Sequence, residues 1–223
     1  KYSDLCVFSF HPVKIIAGGE GGMITTNSKK LYQKLIKLRT HGVSQNTNEI
    51  LNKNVAYTGN QKNLWYYEMT DLGYHYRQTD IHCALIYSQM NRIHDFLSKR
   101  EKIAQIYDMH FIKNDNYYLP QSNLRGFSSN HLYTLNYNFK KNKISRNHLM
   151  GELQKRNIIT QVHYIPVPLQ YYYKKMGYNM NNLENALLHY NECISLPIYY
   201  DLTREQQKFV INSVDEILQK KNK

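Results

Sequence analysis

A lysine that precedes a glycine-rich loop is the first feature of this sequence that could do chemistry. Lys14 follows an apolar segment at residues 5–10 and Pro12, and four of the five positions 18–22 are glycine, with Glu20 among them. A lysine amine that is partly withdrawn from water becomes a nucleophile for carbonyl groups, because burial and neighbouring charges disfavour the ammonium form. Glycines let a bulky anionic ligand approach the backbone closely. The pattern is typical of a Schiff-base lysine, although an ordinary surface lysine before a flexible turn has the same composition.

Short strands and a helix are predicted around Lys14. Residues 5–10 are apolar and rich in β-formers and predict a buried strand, and residues 23–26 predict a second strand after the glycines. From Ser28 the apolar residues recur at helical spacing as far as Gly42, a typical C-terminal cap. Two short strands need partner strands and covering helices, so the chain is expected to begin inside a domain.

Further along the chain, helices and strands alternate. Residues 43–64 are polar and lack periodicity, which predicts a long loop. Thr79 is placed to cap a helix that runs to about residue 89, and a longer amphipathic helix is predicted after it. In the second half we predict strands at residues 131–139 and 160–164 and helices at residues 145–155, 183–192 and 203–218. This order predicts an α/β or α+β fold, with a domain boundary after residue 119 in a turn-rich connection.

The net charge of +12 in 223 residues raises the question of a nucleic-acid partner. The 29 lysines and arginines are scattered rather than gathered into one stripe, so no nucleic-acid partner is predicted, although such a surface could attract an anionic substrate such as a nucleotide-sugar. The ten histidines are dispersed, and no metal site is predicted. The sequence has no run of about 18 apolar residues and no apolar signal segment, so we predict a cytoplasmic protein with no membrane partner.

Six motifs in this chain resemble, in order and spacing, those of the DegT/DnrJ/EryC1/StrS sugar aminotransferases. The first is Ser9-Phe10-His11-Pro12-Val13-Lys14, followed by Glu20-Gly21-Gly22-Met23, which resembles the active-site signature of that family. The others are Arg39-Thr40-His41-Gly42, Leu72-Gly73-Tyr74-His75-Tyr76-Arg77, Asn130-His131-Leu132-Tyr133, Val162-His163-Tyr164 with Pro166, and Ser195-Leu196-Pro197. The resemblance covers the whole chain and implies an α/β fold that is part of the pyridoxal-phosphate (PLP) transferase fold type I. It implies the remainder of a large PLP-binding domain at residues 1–119 and a complete small C-terminal α/β domain at residues 120–223.

The resemblance also implies roles for single residues in cofactor binding. Lys14 would hold PLP covalently and then move the proton between the cofactor and substrate carbon atoms, and Ser9 would donate its hydroxyl to the PLP phosphate. His75 stands where the family usually has an asparagine that reaches this phosphate from the other subunit, which implies a homodimer with active sites at its interface. Because imidazole can also donate a hydrogen bond to phosphate, His75 is predicted to bind the cofactor.

The substrates are implied in the same way. His163, Tyr164 and Arg77 would contact the nucleotide-sugar. Within the family, residues 11–14 and 161–164 most resemble the enzymes of pseudaminic acid synthesis. Those enzymes transfer an amino group from glutamate to C4 of a UDP-linked 4-keto-6-deoxy-N-acetylhexosamine, and this is the expected reaction.

The N-terminal half of the family has no counterpart in this chain. That half supplies the first phosphate-binding loop, the aromatic residue that stacks on the pyridine ring and the aspartate that pairs with the pyridine nitrogen. The chain is therefore expected to be a fragment or a truncated gene product that does not transaminate alone. A second hypothesis is an inactive remnant that keeps only dimer or nucleotide-sugar binding. The dehydratase branch of the family usually has histidine in place of the covalent lysine, and Lys14 argues against that branch.

Overall fold

The chain divides into two compact units, Lys1–Ile93 and His94–Lys223. The computed structural model describes residues 2–119 and 128–219. The domain boundary predicted after residue 119 adjoins residues 120–127, which lie outside the described residues, so that division stays a prediction. Unit 1 denotes the first of the two compact units and unit 2 the second.

Unit 1 is built from short antiparallel strand pairs and two longer helices. Its elements are β1 (Cys6–Ser9), β2 (Gly22–Thr25), α1 (Lys29–Arg39), β3 (Val43–Ser44), a 3-10 helix (Thr47–Glu49), α2 (Lys53–Ala56), β4 (Tyr57–Thr58), β5 (Gln61–Lys62), β6 (Glu68–Met69) and α3 (Asp80–Met90). The strands pair as β1 with β2, β3 with β6 and β4 with β5. The prediction of a long loop at residues 43–64 was wrong, because this stretch contains β3, the 3-10 helix, α2, β4 and β5. Two-residue strands are too short to show an alternating pattern in the sequence.

The pair β1–β2 carries the lysine loop at its open end. Its register places Cys6 opposite Thr25 and Ser9 opposite Gly22, so that Lys14 lies in the connection between the two strands. All four residues of β1 are exposed, with Val7 exposed by 73%. The prediction of a buried strand was therefore wrong for this chain, because a two-stranded ribbon cannot bury its own apolar side chains.

Helix ends follow the predicted caps. The side-chain oxygens of Ser28, Thr79 and Ser145 each accept a hydrogen bond from the backbone N–H three residues further on, which satisfies a donor that the helix leaves open. Gly42 follows α1 with φ of 69°, a left-handed conformation that glycine adopts without strain. These caps confirm where α1, α3 and the helix that begins after Ser145 were predicted to start.

Unit 2 is a small three-stranded sheet with helices. Its elements are α4 (Ile93–Phe111), which begins at the last residue of unit 1, β7 (Tyr117–Tyr118), β8 (Tyr133–Tyr137), α5 (Arg146–Lys155), a 3-10 helix (Val167–Leu169), α6 (Tyr171–Lys175), α7 (Glu184–Glu192), β9 (Cys193–Leu196) and α8 (Arg204–Gln219). The strand order is β7-β8-β9, and both pairs are antiparallel. The strand predicted at residues 160–164 was wrong: only Gln161 pairs, with Ser195, because the chain leaves the sheet edge after it.

The core of unit 2 is formed by large side chains from α4, β8, α5 and α8. Tyr107 and Tyr133 are fully buried with ring centroids 4.6 Å apart, and Leu153 and Val214 are fully buried beside them in the same cluster. The tyrosine hydroxyls stay satisfied, since Tyr107 donates to the Pro197 carbonyl at 3.0 Å. Apolar burial of this kind contributes about 1.5–3 kcal/mol for each large side chain.

Helix α5 contains a glycine for which the structure gives no need. A Cβ added at Gly151 meets no described atom within 4 Å, and its φ is not positive. Since glycine in a helix interior is about 0.8–1.0 kcal/mol less favourable than alanine, we expect Gly151→Ala to raise the free energy of unfolding by roughly that amount. Urea denaturation of the two proteins measures it, and a destabilised variant would contradict the prediction.

Candidate active site

The six predicted site residues form three pairs in the structure. Ser9 and Lys14 lie together in unit 1 at the end of β1, and His75 and Arg77 lie in the segment between β6 and α3. His163 and Tyr164 lie in unit 2. The pairs unite residues that are close in sequence, so each pair is determined by local structure.

A tight turn holds Lys14 after the end of β1. The N–H of Lys14 donates to the carbonyl of His11 at 2.8 Å, and the N–H of His11 donates to the hydroxyl of Ser9 at 3.5 Å. The loop is closed by Phe10, whose carbonyl accepts from Gly18 and whose N–H donates to Gly21, both at 2.9 Å. Lys14 is half-buried in this closed loop.

Two of the loop glycines are required for packing against α3 and the residues before it. A Cβ on Gly18 would lie 2.4 Å from a side-chain carbon of Ile86, and one on Gly21, where φ is 139°, would lie 2.5 Å from the side chain of Gln78. Gln78 also donates to the carbonyl of Glu20 at 2.6 Å. The sequence suggested that these glycines admit a ligand; at these two positions they admit neighbouring side chains.

Backbone pairing joins the two motifs that contain His41 and His75. Thr40 and His75 form an isolated antiparallel bridge, and His41 donates to the carbonyl of Tyr74 at 3.0 Å. The rings of His41 and His75 meet edge to face with centroids 5.4 Å apart. Glycine permits this approach, because a Cβ on Gly42 would overlap the backbone of the facing segment.

The pair of His75 and Arg77 has a defined pattern of donors. A guanidinium nitrogen of Arg77 lies 3.0 Å from Nε2 of His75. A guanidinium has no lone pair to accept with, so Nε2 must accept, and the ring proton must be on Nδ1. Both residues are exposed. The pair therefore offers an imidazole N–H and a permanent positive charge to an oxyanion.

A cavity lies beside this pair. Its volume is about 640 Å³, within the roughly 300–1,000 Å³ typical of small-molecule sites. It is lined by Thr40, His41, Val43, Gln45, Tyr67 and Arg77. The side chains at its wall supply both cationic and hydrogen-bonding groups.

An ion-pair network that the sequence did not reveal fixes the segments around this cavity. The ammonium of Lys37 lies 2.7 Å from Glu49 and 3.3 Å from Asp71, and it donates to the hydroxyl of Thr70 at 3.1 Å. Hydrogen bonding to Lys37 lowers the pKa of Glu49, and hydrogen bonds from Thr70 and then Lys37 lower the pKa of Asp71. The carboxylates in turn raise the pKa of Lys37, chiefly through Glu49.

We expect this network to make unit 1 sensitive to acid. Because the pKa values of Glu49 and Asp71 are lowered in the folded state, their stabilising contribution is present above the ordinary carboxyl range and is lost as the pH falls through the lowered values. Lys37→Met should reduce the loss of stability between neutral and acid pH, measured by denaturation at a series of pH values. Lys30→Met, on an exposed residue of the same helix, is the control; an equal effect of both changes would contradict the prediction.

In unit 2, His163 and Tyr164 form a compact ring pair. Their ring centroids are 4.5 Å apart at an interplanar angle of 85°, and the peptide bond between them is cis. Nδ1 of His163 lies 2.7 Å from the hydroxyl of Ser195 on β9. Tyr164 is exposed by 66%, so its ring is accessible to a ligand. Ser195 was noted in the sequence as part of a motif, without a role.

The residues of unit 1 fit a cofactor that carries an aldehyde and a phosphate. The amine of Lys14 is the group that an aldehyde requires. The hydroxyl of Ser9, the Nδ1–H of His75 and the guanidinium of Arg77 are donors suited to a phosphate. Taken one by one, these residue types match the aldehyde and the phosphate of PLP.

Metal-binding groups and membrane-spanning helices are both absent from the described residues. Over residues 2–119 and 128–219, no group of three or more His, Cys, Asp or Glu side chains could hold a metal ion. Within the same residues, every helix is too short or too polar to cross a bilayer.

Comparisons with known proteins agree on one family. The DegT/DnrJ/EryC1/StrS aminotransferase family model matches residues 1–215. A Campylobacter jejuni protein named UDP-4-amino-4,6-dideoxy-N-acetyl-beta-L-altrosamine transaminase is 34% identical over 223 residues, which are 99% of this chain and 54% of that protein. The chain thus spans about half the length of the curated relatives it matches.

Solved structures give the same result for the fold. Helicobacter pylori PseC, an aminotransferase involved in the biosynthesis of pseudaminic acid, superposes with a TM-score of 0.84 at 29% identity, covering 98% of this chain and 54% of that one. The PLP form of the putative sugar aminotransferase Spr1654 from Streptococcus pneumoniae has a TM-score of 0.80 at 26% identity, covering 98% and 53%. The predicted fold class, α/β and part of the fold of PLP-dependent transferases, is confirmed.

Proposed function

The chain belongs to the DegT/DnrJ/EryC1/StrS aminotransferase family, and from this premise we propose that it carries the cofactor lysine and the sugar-binding residues of a PLP-dependent nucleotide-sugar aminotransferase. The observation that supports this most is the half-buried Lys14, held in a closed loop directly after the exposed hydroxyl of Ser9. An amine and a phosphate donor in one short segment are what a cofactor with both groups needs.

The proposed roles follow from the chemistry of each residue. PLP, when bound, supplies the electron sink that makes exchange of an amino group between two carbon atoms feasible. Lys14 binds the cofactor and carries the proton on its Nζ during the exchange. Ser9 donates its hydroxyl to the cofactor phosphate. His75 donates from Nδ1 to the same phosphate, since Arg77 occupies its Nε2, and Arg77 balances anionic charge.

For the substrates we propose glutamate and a UDP-linked 4-keto-6-deoxy-N-acetylhexosamine, which would be aminated at C4. Support comes from relatives whose names refer to a UDP-linked amino sugar or to pseudaminic acid. His163 and Tyr164 would contact the nucleotide-sugar, with the exposed Tyr164 ring providing a surface for a sugar or base. We further propose that the protein is a cytoplasmic homodimer with active sites at the subunit interface.

The reaction itself tests this function. The whole protein is incubated with PLP, glutamate and the UDP-keto-sugar, and 2-oxoglutarate and the amino sugar are quantified by mass spectrometry. We expect the two products in equal amounts, because one amino group leaves glutamate for each one that reaches C4. Omission of glutamate should prevent formation of the amino sugar, and omission of the UDP-keto-sugar should limit 2-oxoglutarate to the amount of bound PLP.

A second outcome would favour the other hypothesis for this chain. Binding of the UDP-sugar or dimer formation without any amino transfer would support an inactive protein that keeps only binding. Absence of both binding and transfer would contradict both hypotheses.

A further inference from the structure

Strand β9 divides its side chains between two environments. Successive side chains of a strand point to opposite faces of the sheet. Ile194 and Leu196 are 1% and 3% exposed and belong to the apolar core of unit 2. Cys193 and Ser195 alternate with them and face the segment that contains His163, whose carbonyl lies 4.0 Å from the Cys193 sulfur. The hydroxyl at position 195 is therefore not part of the apolar core.

Ser195 contacts the segment that contains His163 through both its backbone and its side chain. Its backbone exchanges two hydrogen bonds with Gln161, of 2.7 Å and 3.3 Å. Its hydroxyl lies 2.7 Å from Nδ1 of His163, two residues beyond Gln161. Ser195 is 6% exposed, so water competes little for this hydroxyl. Backbone and side chain together determine where the imidazole lies and how its ring is turned.

A short hydrogen bond to one ring nitrogen has a specific consequence for histidine. The partner of one nitrogen fixes the ring orientation and couples to the proton on the other. A hydroxyl can both donate and accept, so it satisfies Nδ1 whether or not that atom carries a proton. Alanine at this position would leave the ring without that partner while removing only one oxygen atom from the buried site.

We propose that Ser195 is a positioning residue, which orients the imidazole of His163 for contact with the nucleotide-sugar. The inference rests on the proposed function for the identity of the ligand, but the pairing of Ser195 with His163 can be measured without any ligand. Loss of one hydrogen bond of this kind corresponds to roughly 2- to 12-fold in affinity. The effect on binding should be exerted through His163 alone.

Two measurements on the whole protein test the proposal. Histidine labelled at Cε1 with ¹³C gives the ring signals by NMR, and His163→Gln identifies the signal of His163. In Ser195→Ala the His163 signal should shift or broaden without ligand, and Ser195→Thr, which keeps a hydroxyl, should retain it. Titration with UDP-N-acetylglucosamine, a stable nucleotide-sugar, then measures affinity. We expect Ser195→Ala to weaken binding by about 2- to 12-fold in the native background and not at all in a His163→Gln background.

Ser213→Ala provides the matched control. Ser213 is also a buried serine of unit 2, 1% exposed, and its hydroxyl has no hydrogen-bond partner among the described residues. This change should leave the His163 signal and the affinity unaltered. An unchanged His163 signal in Ser195→Ala would overturn the proposal, and so would equal losses of affinity with and without His163. A changed signal in a protein that does not bind the nucleotide-sugar would instead overturn the proposed function and the role in substrate binding that rests on it.

Discussion

Replacing Lys14 with arginine should lower kcat for amino transfer by the whole protein by at least about 10²–10⁴-fold, the range associated with loss of a positioned acid-base group. Arginine keeps a positive charge and a similar length, but its guanidinium stays protonated and cannot serve as the nucleophilic amine. The closed loop should persist, because its hydrogen bonds are made by the backbone of residues 10, 11, 14, 18 and 21. The loss should therefore appear in catalysis with little change in the free energy of unfolding.

Lys30→Arg is the matched control for this prediction. Lys30 is an exposed lysine at the start of α1 in the same unit, and its replacement should leave kcat within about twofold, since surface changes of this type usually have small effects. Initial rates with glutamate and the UDP-keto-sugar provide the comparison. Retention of normal turnover by Lys14→Arg would remove Lys14 from the proposed chemistry.

Gly42→Ala should cause a large loss of stability in unit 1. The residue has φ of 69°, and an added Cβ would lie 1.7 Å from the carbonyl oxygen of Asp71 and 2.9 Å from the nitrogen of Gly73. A left-handed alanine costs about 1–2 kcal/mol and overpacking against fixed atoms about 1–3 kcal/mol more, so we expect a loss of roughly 2–5 kcal/mol. The overlap is with backbone atoms and cannot be relieved by a side-chain rotation. The bridge between Thr40 and His75 should be disturbed as well.

Gly59→Ala separates the cost of the left-handed backbone conformation from the cost of the overlap with backbone atoms. Gly59 has φ of 62°, but a Cβ there meets no described atom within 4 Å, so its replacement should cost only the conformational part, about 1–2 kcal/mol. Chemical denaturation of both variants measures the difference. Equal losses for the two glycines would contradict the prediction, because they would show that the overlap with the backbone of residues 71–73 adds nothing to the cost of a side chain at position 42.

Features that depend on neighbouring residues in sequence could be predicted. The caps at Ser28 and Thr79 follow from residue type and spacing, because a short side-chain oxygen reaches an N–H only three residues away. Thr203 and Gln206 form a capping box at the start of the helix predicted at residues 203–218, in which each side chain accepts from the backbone N–H of the other. The position of Lys14 after a strand and before a glycine loop could be predicted for the same reason, because it depends only on neighbouring residues in the sequence.

Features that depend on distant residues could not be predicted. Lys37 meets Glu49 and Asp71 only after the chain has folded, and nothing in their spacing marks them as partners. The same holds for Ser195 and His163, which are separated by 32 positions. The apolar residues of β1 predicted a buried strand, but all four residues of β1 are exposed. The residue pattern of a strand does not tell which other segment, if any, covers it.

The most direct test of the central claim is to locate the bound cofactor on the polypeptide. The whole protein is incubated with PLP, reduced with borohydride and digested, and the modified peptides are mapped by mass spectrometry beside a Lys14→Arg sample. The account predicts one dominant modified peptide containing Lys14, with absorbance in the visible range before reduction, and loss of both in the variant. Modification spread over exposed lysines, equal in the two samples and no greater at Lys14 than elsewhere, would contradict it.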